Sequence, residues 1–162
     1  NLGYTANLKD WADFIRRTPD EYAKWIEDVA KECEILELRI LEDLVKTTDK
    51  KIFVDTNISL ETLGKITDKD HVLIMLADPS ISVSRFFDRP DSEKQFLYQL
   101  LLKEKNPDAA IANFRACLEK VNSQENYDKF LHSGFQILLK DESRSIDETM
   151  QMVELYLKLK RI

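Results

Sequence analysis

The sequence has little glycine and no glycine-rich segment. Only three glycines occur in 162 residues, at positions 3, 64 and 134. At these positions the glycines cannot form a Gly-x-x-x-x-Gly-Lys-Ser/Thr loop. These residues therefore provide no phosphate cradle of successive backbone N–H groups, which depends on closely spaced glycines. Proline is also scarce, with four residues. This composition predicts long regular elements joined by few tight turns.

Cysteine and histidine are equally rare, which excludes several kinds of site. Cys33 and Cys117 both fall within helical apolar patterns, as expected of reduced core residues in a cytosolic protein. His71 and His132 lie far apart in the sequence. Since neither residue type shows a metal-ligand spacing, we expect no zinc site.

Long apolar runs and an excess of positive charge are missing as well. No run of about 18 apolar residues is present, so no membrane span is expected. The net charge of −6 argues against binding to a nucleic-acid backbone, which needs a basic surface. The first residues, NLGYTANLKDW, carry neither a starting Met nor a signal-peptide pattern. We therefore expect the chain to be cut from a longer protein.

What the sequence does contain is a strong pattern of helices and three short apolar runs. Thr18-Pro19-Asp20-Glu21 is a capping box that predicts a helix over 19–46, and Ser145 with Glu148 predicts a final helix over 146–160. The runs at 51–56, 71–76 and 135–139 are apolar on both faces and separated by helices. This order predicts parallel strands buried between helices, in a three-layer α/β fold.

The carboxyl ends of these strands are the predicted ligand site, because open α/β sheets bind ligands there. Three segments are expected to converge at this edge, namely 55–57, 77–79 and 140–143. Arg85 and Arg89 follow the second strand, four residues apart on one helix face. Pro90 disfavours helical geometry at Arg89, so a break in the helix is expected over 88–91.

Three motifs in order carry a resemblance to a known family. They are KIFVDTN, HVLIMLADPSISVSRFFDRPDSEK and FQILLKDESRSIDET. Together they resemble the part after the phosphate loop in P-loop nucleoside and nucleotide kinases of the cytidylate-kinase-like type, over about residues 51–160. The resemblance implies one domain over 1–162, with acceptor-side helices in 1–48 and the core strands, lid and last helix in 49–162. It also implies that a strand and a phosphate loop precede Asn1.

The resemblance implies an ATP-dependent phosphotransferase that uses Mg²⁺ and acts on a nucleoside, nucleotide or small-molecule acceptor. Asp55, Arg85 and Arg89 would be catalytic, with Asp55 also at the metal and the arginines on a mobile lid. The segment at the adenine would be Lys140, Asp141, Glu142 and Ser143. The acceptor would be bound by Tyr4, Trp11, Arg16, Arg17 and Asn57.

Other interpretations of the same residues stay open. Asp55 could be a turn or helix-cap residue. Arg85 and Arg89 could lie on a solvated helix face and pair with nearby carboxylates. The strand ending in Asp-Thr-Asn also resembles the opening of a PIN-type metal-dependent nuclease, with Glu61, Asp78 and Asp141 as further carboxylates. A non-catalytic interaction module is the third alternative. The expected partners are a nucleotide and a small acceptor in the cytoplasm, with no nucleic acid and no membrane; a homo-oligomer is left open.

Overall fold

A computed structural model of the chain describes residues 10–88, 90–140 and 143–159. The structure is mostly helical. A short 3₁₀ turn, Lys69–His71, precedes the first strand. In chain order the described elements are α1 (Trp11–Ile15), α2 (Pro19–Thr47), α3 (Leu60–Ile66), β1 (Leu73–Leu76), α4 (Pro79–Ser84), α5 (Ser92–Leu102), α6 (Pro107–Val121), α7 (Gln124–Leu131), β2 (Gln136–Leu139) and α8 (Ile146–Tyr156).

The sheet contradicts the predicted fold class. Within the described part of the chain it has two strands, β1 and β2, paired in parallel from Leu73 opposite Gln136 to Leu76 opposite Leu139. The prediction of a three-layer parallel sheet of the P-loop-kinase type is therefore wrong. The two strands themselves were predicted at 71–76 and 135–139, and each is found within its predicted range.

The third predicted strand, 51–56, is not a strand. The segment is irregular, and the side chains of Phe53 and Val54 are 65% and 45% exposed. It is anchored to α2 by side chains: the Thr56 hydroxyl donates to the Glu37 carboxylate, and Ser59 donates to Glu34. A run of β-branched and aromatic residues forms a strand only where a neighbouring strand pairs with it, and this segment has none among the described residues.

The first compact unit comprises the residues up to Ser59 together with Asp91–Val121. Its core is an aromatic cluster in which Phe14 packs on Tyr22, Trp25 and Phe114, with ring centroids 5.0–6.3 Å apart. The start of α2 is fixed by its predicted capping box. The Glu21 N–H donates to the Thr18 hydroxyl, and the Thr18 N–H donates to the Glu21 carboxylate.

The second half of α2 differs from the first in its exposure. Tyr22 near the start of the helix is buried, whereas Ile35, Ile40 and Val45 are 55%, 59% and 70% exposed. Several apolar side chains in the second half of α2 are therefore largely exposed. Ion pairs four residues apart, Lys24 with Asp28 and Lys31 with Glu27, add local support to the helix.

The second compact unit comprises Leu60–Pro90 and Asn122–Ile162. It contains both strands, and its buried side chains include Val83, Phe135 and Leu138. Gly134 precedes β2 with φ at +81°, in the left-handed region where residues with a Cβ are strained. The predicted capping box of Ser145 and Glu148 starts α8 at Ile146.

No helix in the described ranges is both long enough and apolar enough to cross a lipid bilayer. This finding agrees with the prediction from the hydrophobic pattern.

Candidate functional site

A cleft of about 570 Å³ lies in the second unit, at the carboxyl ends of β1 and β2. Asp78 and Lys140 line it from the two strand ends, and Ser82 and Arg85 line it from α4 and its end. The sequence predicts that segments 77–79 and 140–143 meet at this edge, and Asp78 and Lys140 do so. Arg85, which was predicted to lie near them, is part of the same cleft.

Backbone hydrogen bonding places Lys140 at the edge of the cleft. Its N–H donates to the carbonyl oxygen of Leu76 at 2.6 Å. The parallel ladder thus continues for one residue past β2, and Lys140 lies beside the strand end that leads into Ala77 and Asp78. The lysine side chain is exposed, so its ammonium group is accessible to a ligand.

Asp78 is held in place as the N-cap of α4. Its carboxylate accepts hydrogen bonds from the Ser80 N–H at 2.8 Å and from the Ser80 hydroxyl at 2.5 Å. These hydrogen bonds, the one from the hydroxyl first, lower the pKa of Asp78. The carboxylate is therefore ionised at neutral pH and already engaged with the backbone, and its main role in this site is to fix the turn into α4.

Arg85 lies directly after α4. Its backbone N–H donates to the carbonyl oxygen of Ile81 at 3.1 Å, which closes the last turn. Val83 is buried and anchors the short helix, whereas Arg85 is exposed. Two cations, Arg85 and Lys140, therefore reach one cleft from different elements, while Asp78 and Asp88 give the same cleft negative charge.

Ser82 and Asp88 also line the cleft, although neither was predicted as a site residue. The spacing of residues along the sequence could have indicated Ser82. Asp78, Ser82 and Arg85 are spaced by four and three residues, the spacing that places side chains on one face of a helix. Asp88 was considered only as an ion-pair partner of the arginines.

The expected break in the helix near Pro90 is confirmed. Helix α4 ends at Ser84, and α5 begins at Ser92 with Asp91 as its N-cap. Lys94 pairs with Asp91 at 2.6 Å. Arg89 lies outside the described residues, and so do Tyr4, Asp141 and Glu142. The mobility of a lid at this position stays a prediction.

Ser143 lies in the turn between β2 and α8 and is not among the residues that line the cleft. This turn is secured by Arg144, which was not assigned a site role. Its guanidinium donates to the Leu139 carbonyl oxygen and lies 3.0 Å from the sulfur of Met152. Of the described residues in this loop, Lys140 is the one that lines the cleft.

Asp55 and Asn57 belong to the first unit, where both are exposed in the irregular segment after α2. The premise that Asp55 ends a strand is wrong. Among the described residues, no group of three or more His, Cys, Asp or Glu side chains is placed to hold a metal ion. Glu61, which the nuclease alternative uses, pairs with Lys65 at 2.5 Å. The metal role of Asp55 stays a prediction.

Trp11, Arg16 and Arg17 all lie near the start of α2, but their surroundings differ. Trp11 is 48% exposed and packs edge-on against Phe96. Arg16 donates two hydrogen bonds to Glu104, at 2.9 and 3.0 Å, and this carboxylate raises the pKa of Arg16. Arg17 lies over the rings of Phe14 and Trp25. Arg16 is therefore engaged in a surface ion pair, and Arg17 is stacked on the aromatic cluster.

Comparison of the chain with protein-family models, with curated proteins and with solved structures gave no match. The resemblance to P-loop kinases and the nuclease alternative therefore stay hypotheses that rest on the sequence motifs.

Proposed function

We propose that the cleft at the carboxyl ends of β1 and β2 binds the phosphate groups of ATP. Together with the preceding phosphate loop that the resemblance implies, the chain would thereby serve phosphoryl transfer to a nucleoside, nucleotide or small-molecule acceptor. The observation that carries the proposal is the meeting of Arg85 and Lys140 in one cleft beside the ends of two parallel strands. We place this activity in the cytoplasm, since both cysteines are free thiols.

The chemistry of the two cations supports this choice of ligand. The planar guanidinium of Arg85 matches two oxygens of one phosphate group, and the ammonium group of Lys140 acts as a point charge. The hydroxyl of Ser82 adds a neutral donor in the same cleft. During phosphoryl transfer, cations and hydrogen-bond donors of this kind stabilise the negative charge on the transferring phosphoryl group.

The carboxylates of the cleft limit which anions it would bind. Asp78 and Asp88 repel a ligand that brings only negative charge, so a polyphosphate with a bound cation fits better than a bare anion. Mg²⁺ enters the proposal as the partner of ATP, which holds it chiefly through phosphate oxygens and water. We assign no protein ligand to this ion.

Isothermal titration of the chain with ATP·Mg²⁺ tests the proposal. We expect saturable heat in the wild type and a loss of affinity of about tenfold in Arg85→Met and in Lys140→Met, because each removes a charged hydrogen-bond donor. Lys129→Met is the matched control, since Lys129 lies in the same unit and pairs with Glu125 on the surface. Absence of heat at millimolar nucleotide, or an equal loss in the control, would contradict the proposal.

Phosphoryl transfer itself needs a separate measurement. Phosphorus NMR of ATP·Mg²⁺ with the full-length protein and a panel of nucleosides, nucleoside monophosphates and sugars reports ADP and the phosphorylated acceptor together. We expect both products to form at equal rates with at least one acceptor. ADP without a phosphorylated acceptor would show hydrolysis instead of transfer.

A further inference from the structure

Two polar side-chain atoms in the first unit are buried without a hydrogen-bond partner. They are Nη1 of Arg17 and Nε1 of Trp25, and neither has an acceptor among the described residues. Both are donors only: Nη1 of the guanidinium carries two N–H bonds, and the indole nitrogen carries one. A buried donor without an acceptor is costly, so each is expected to meet an acceptor that the protein itself does not supply.

The two donors belong to one cluster of side chains. The Cζ atom of Arg17 lies 5.1 Å from the ring centroid of Trp25 and 5.0 Å from that of Phe14. This stacking uses the faces of the rings. It leaves Nη1 of the guanidinium and Nε1 of the indole without a hydrogen-bond partner among the described residues.

The backbone of Arg17 is held in a fixed position. Its carbonyl oxygen accepts a hydrogen bond from the Asn113 side-chain amide at 2.8 Å and one from the Cys117 thiol at 3.4 Å. Both partners lie on α6, which packs against α2. The guanidinium is therefore placed by the core of the unit and not by a mobile loop.

The neighbouring carboxylates are committed elsewhere or make no hydrogen bond to Arg17. Glu21 accepts from the Thr18 N–H at 2.8 Å and from the Thr18 hydroxyl at 2.9 Å, as part of the capping box. Glu104 is bound by Arg16. Burial lowers the pKa of Arg17, while the charge of Glu21 partly opposes this effect. Arg17 thus makes no direct ion pair among the described residues, although Glu21 and Asp13 lie near enough for their charges to act on it.

We propose that Arg17 and Trp25 form a binding site for a small oxyanion, a phosphoryl or carboxylate group, with one acceptor oxygen for each unpaired N–H. Arg17 supplies charge, and Trp25 supplies a directional donor. Both residues are half-buried, whereas the two unpaired nitrogen atoms themselves are buried. The proposal does not depend on the phosphoryl-transfer function, and its test uses no nucleotide.

The experiment is a titration with inorganic phosphate, followed through the two indole N–H signals in ¹H–¹⁵N NMR spectra. Trp11→Phe assigns the signals, and Trp11 serves as an internal control because it lies on the exposed side of Phe14. We expect the Trp25 signal to move downfield and saturate, while the Trp11 signal moves less. Sodium acetate at equal ionic strength distinguishes a carboxylate from a phosphoryl ligand, and sodium chloride controls for salt.

Three variants make the result decisive. Arg17→Met should abolish the saturable shift, whereas Arg16→Met should keep it, because Arg16 is bound to Glu104 on the surface. Arg17→Lys keeps the charge and should weaken the response without abolishing it, which covers the case that Arg17→Met fails to fold. A Trp25 signal unmoved by phosphate and acetate, or a shift unchanged in Arg17→Met, would mean that water alone satisfies these donors and would overturn the proposal.

Discussion

The backbone N–H of Lys140 donates to the carbonyl oxygen of Leu76 at 2.6 Å. This single bond joins the end of β2 to the end of β1 and makes the two strands finish at the same edge. Asp78 follows Leu76 by two residues and turns the chain into α4, which carries Arg85 at its end. The mixed charge of the cleft thus follows from the register of a two-stranded parallel sheet.

Replacing Phe114 with Ala should strongly destabilise the first unit. Phe114 is 1% exposed and packs against Phe14 and Tyr22, so the change leaves a cavity. We expect the free energy of unfolding to fall by about 3–5 kcal/mol. Phe53→Ala is the matched control, because Phe53 is 65% exposed; its cost should stay below about 0.5 kcal/mol. Chemical denaturation followed by circular dichroism measures both, and similar costs would contradict this core assignment.

Replacing each of the two described glycines with alanine should change the stability of the protein in opposite directions. Gly134 has φ at +81°, so Gly134→Ala should cost about 1–2 kcal/mol through backbone strain. The nearby Lys69 ammonium is the end of a flexible side chain and can move aside. Gly64 lies within α3 with no atom within 4 Å of an added Cβ, so Gly64→Ala should stabilise by about 0.5–1 kcal/mol. Thermal unfolding of both variants measures whether each substitution raises or lowers stability. Changes in the same direction would contradict the prediction.

The stability of the second unit should depend on the ionisation of Asp78. Because Ser80 lowers the pKa of Asp78 in the folded state, the stabilisation is present above the ordinary carboxyl pKa. It is lost as the pH falls through the lowered value. Asp78→Asn keeps a capping side chain but cannot ionise. At neutral pH we expect the wild type to unfold at a higher urea concentration than Asp78→Asn. This difference in urea midpoint should vanish in acid. A difference that does not depend on pH would count against this account.

The helix starts could be predicted from the sequence because their signals are local. The capping boxes of Thr18 with Glu21 and of Ser145 with Glu148 each lie within four residues and occur as predicted. The strands at 73–76 and 136–139 were also predicted, and their shared direction brought Asp78 and Lys140 to one cleft.

The segment 51–56 was mispredicted because strand formation is not local. Ile52, Phe53 and Val54 have high β-propensity, but a strand needs a partner in space, and this cannot be read from the run itself. The site role of Asp55 depended on that strand and therefore lost its structural basis. The stacking of Arg17 on Trp25 was also missed, since it depends on the fold of the turn between α1 and α2, which no local pattern encodes.

Backbone amide mapping by ¹H–¹⁵N NMR tests the phosphate-binding cleft most directly. The chain is titrated with ATP·Mg²⁺, with tripolyphosphate·Mg²⁺ and with adenosine, and the shifts are assigned by residue. The account predicts saturable shifts at Ala77, Ser82, Arg85 and Lys140 with both phosphate ligands and little change with adenosine. Shifts of equal size with adenosine, or phosphate-induced shifts confined to the first unit, would contradict it.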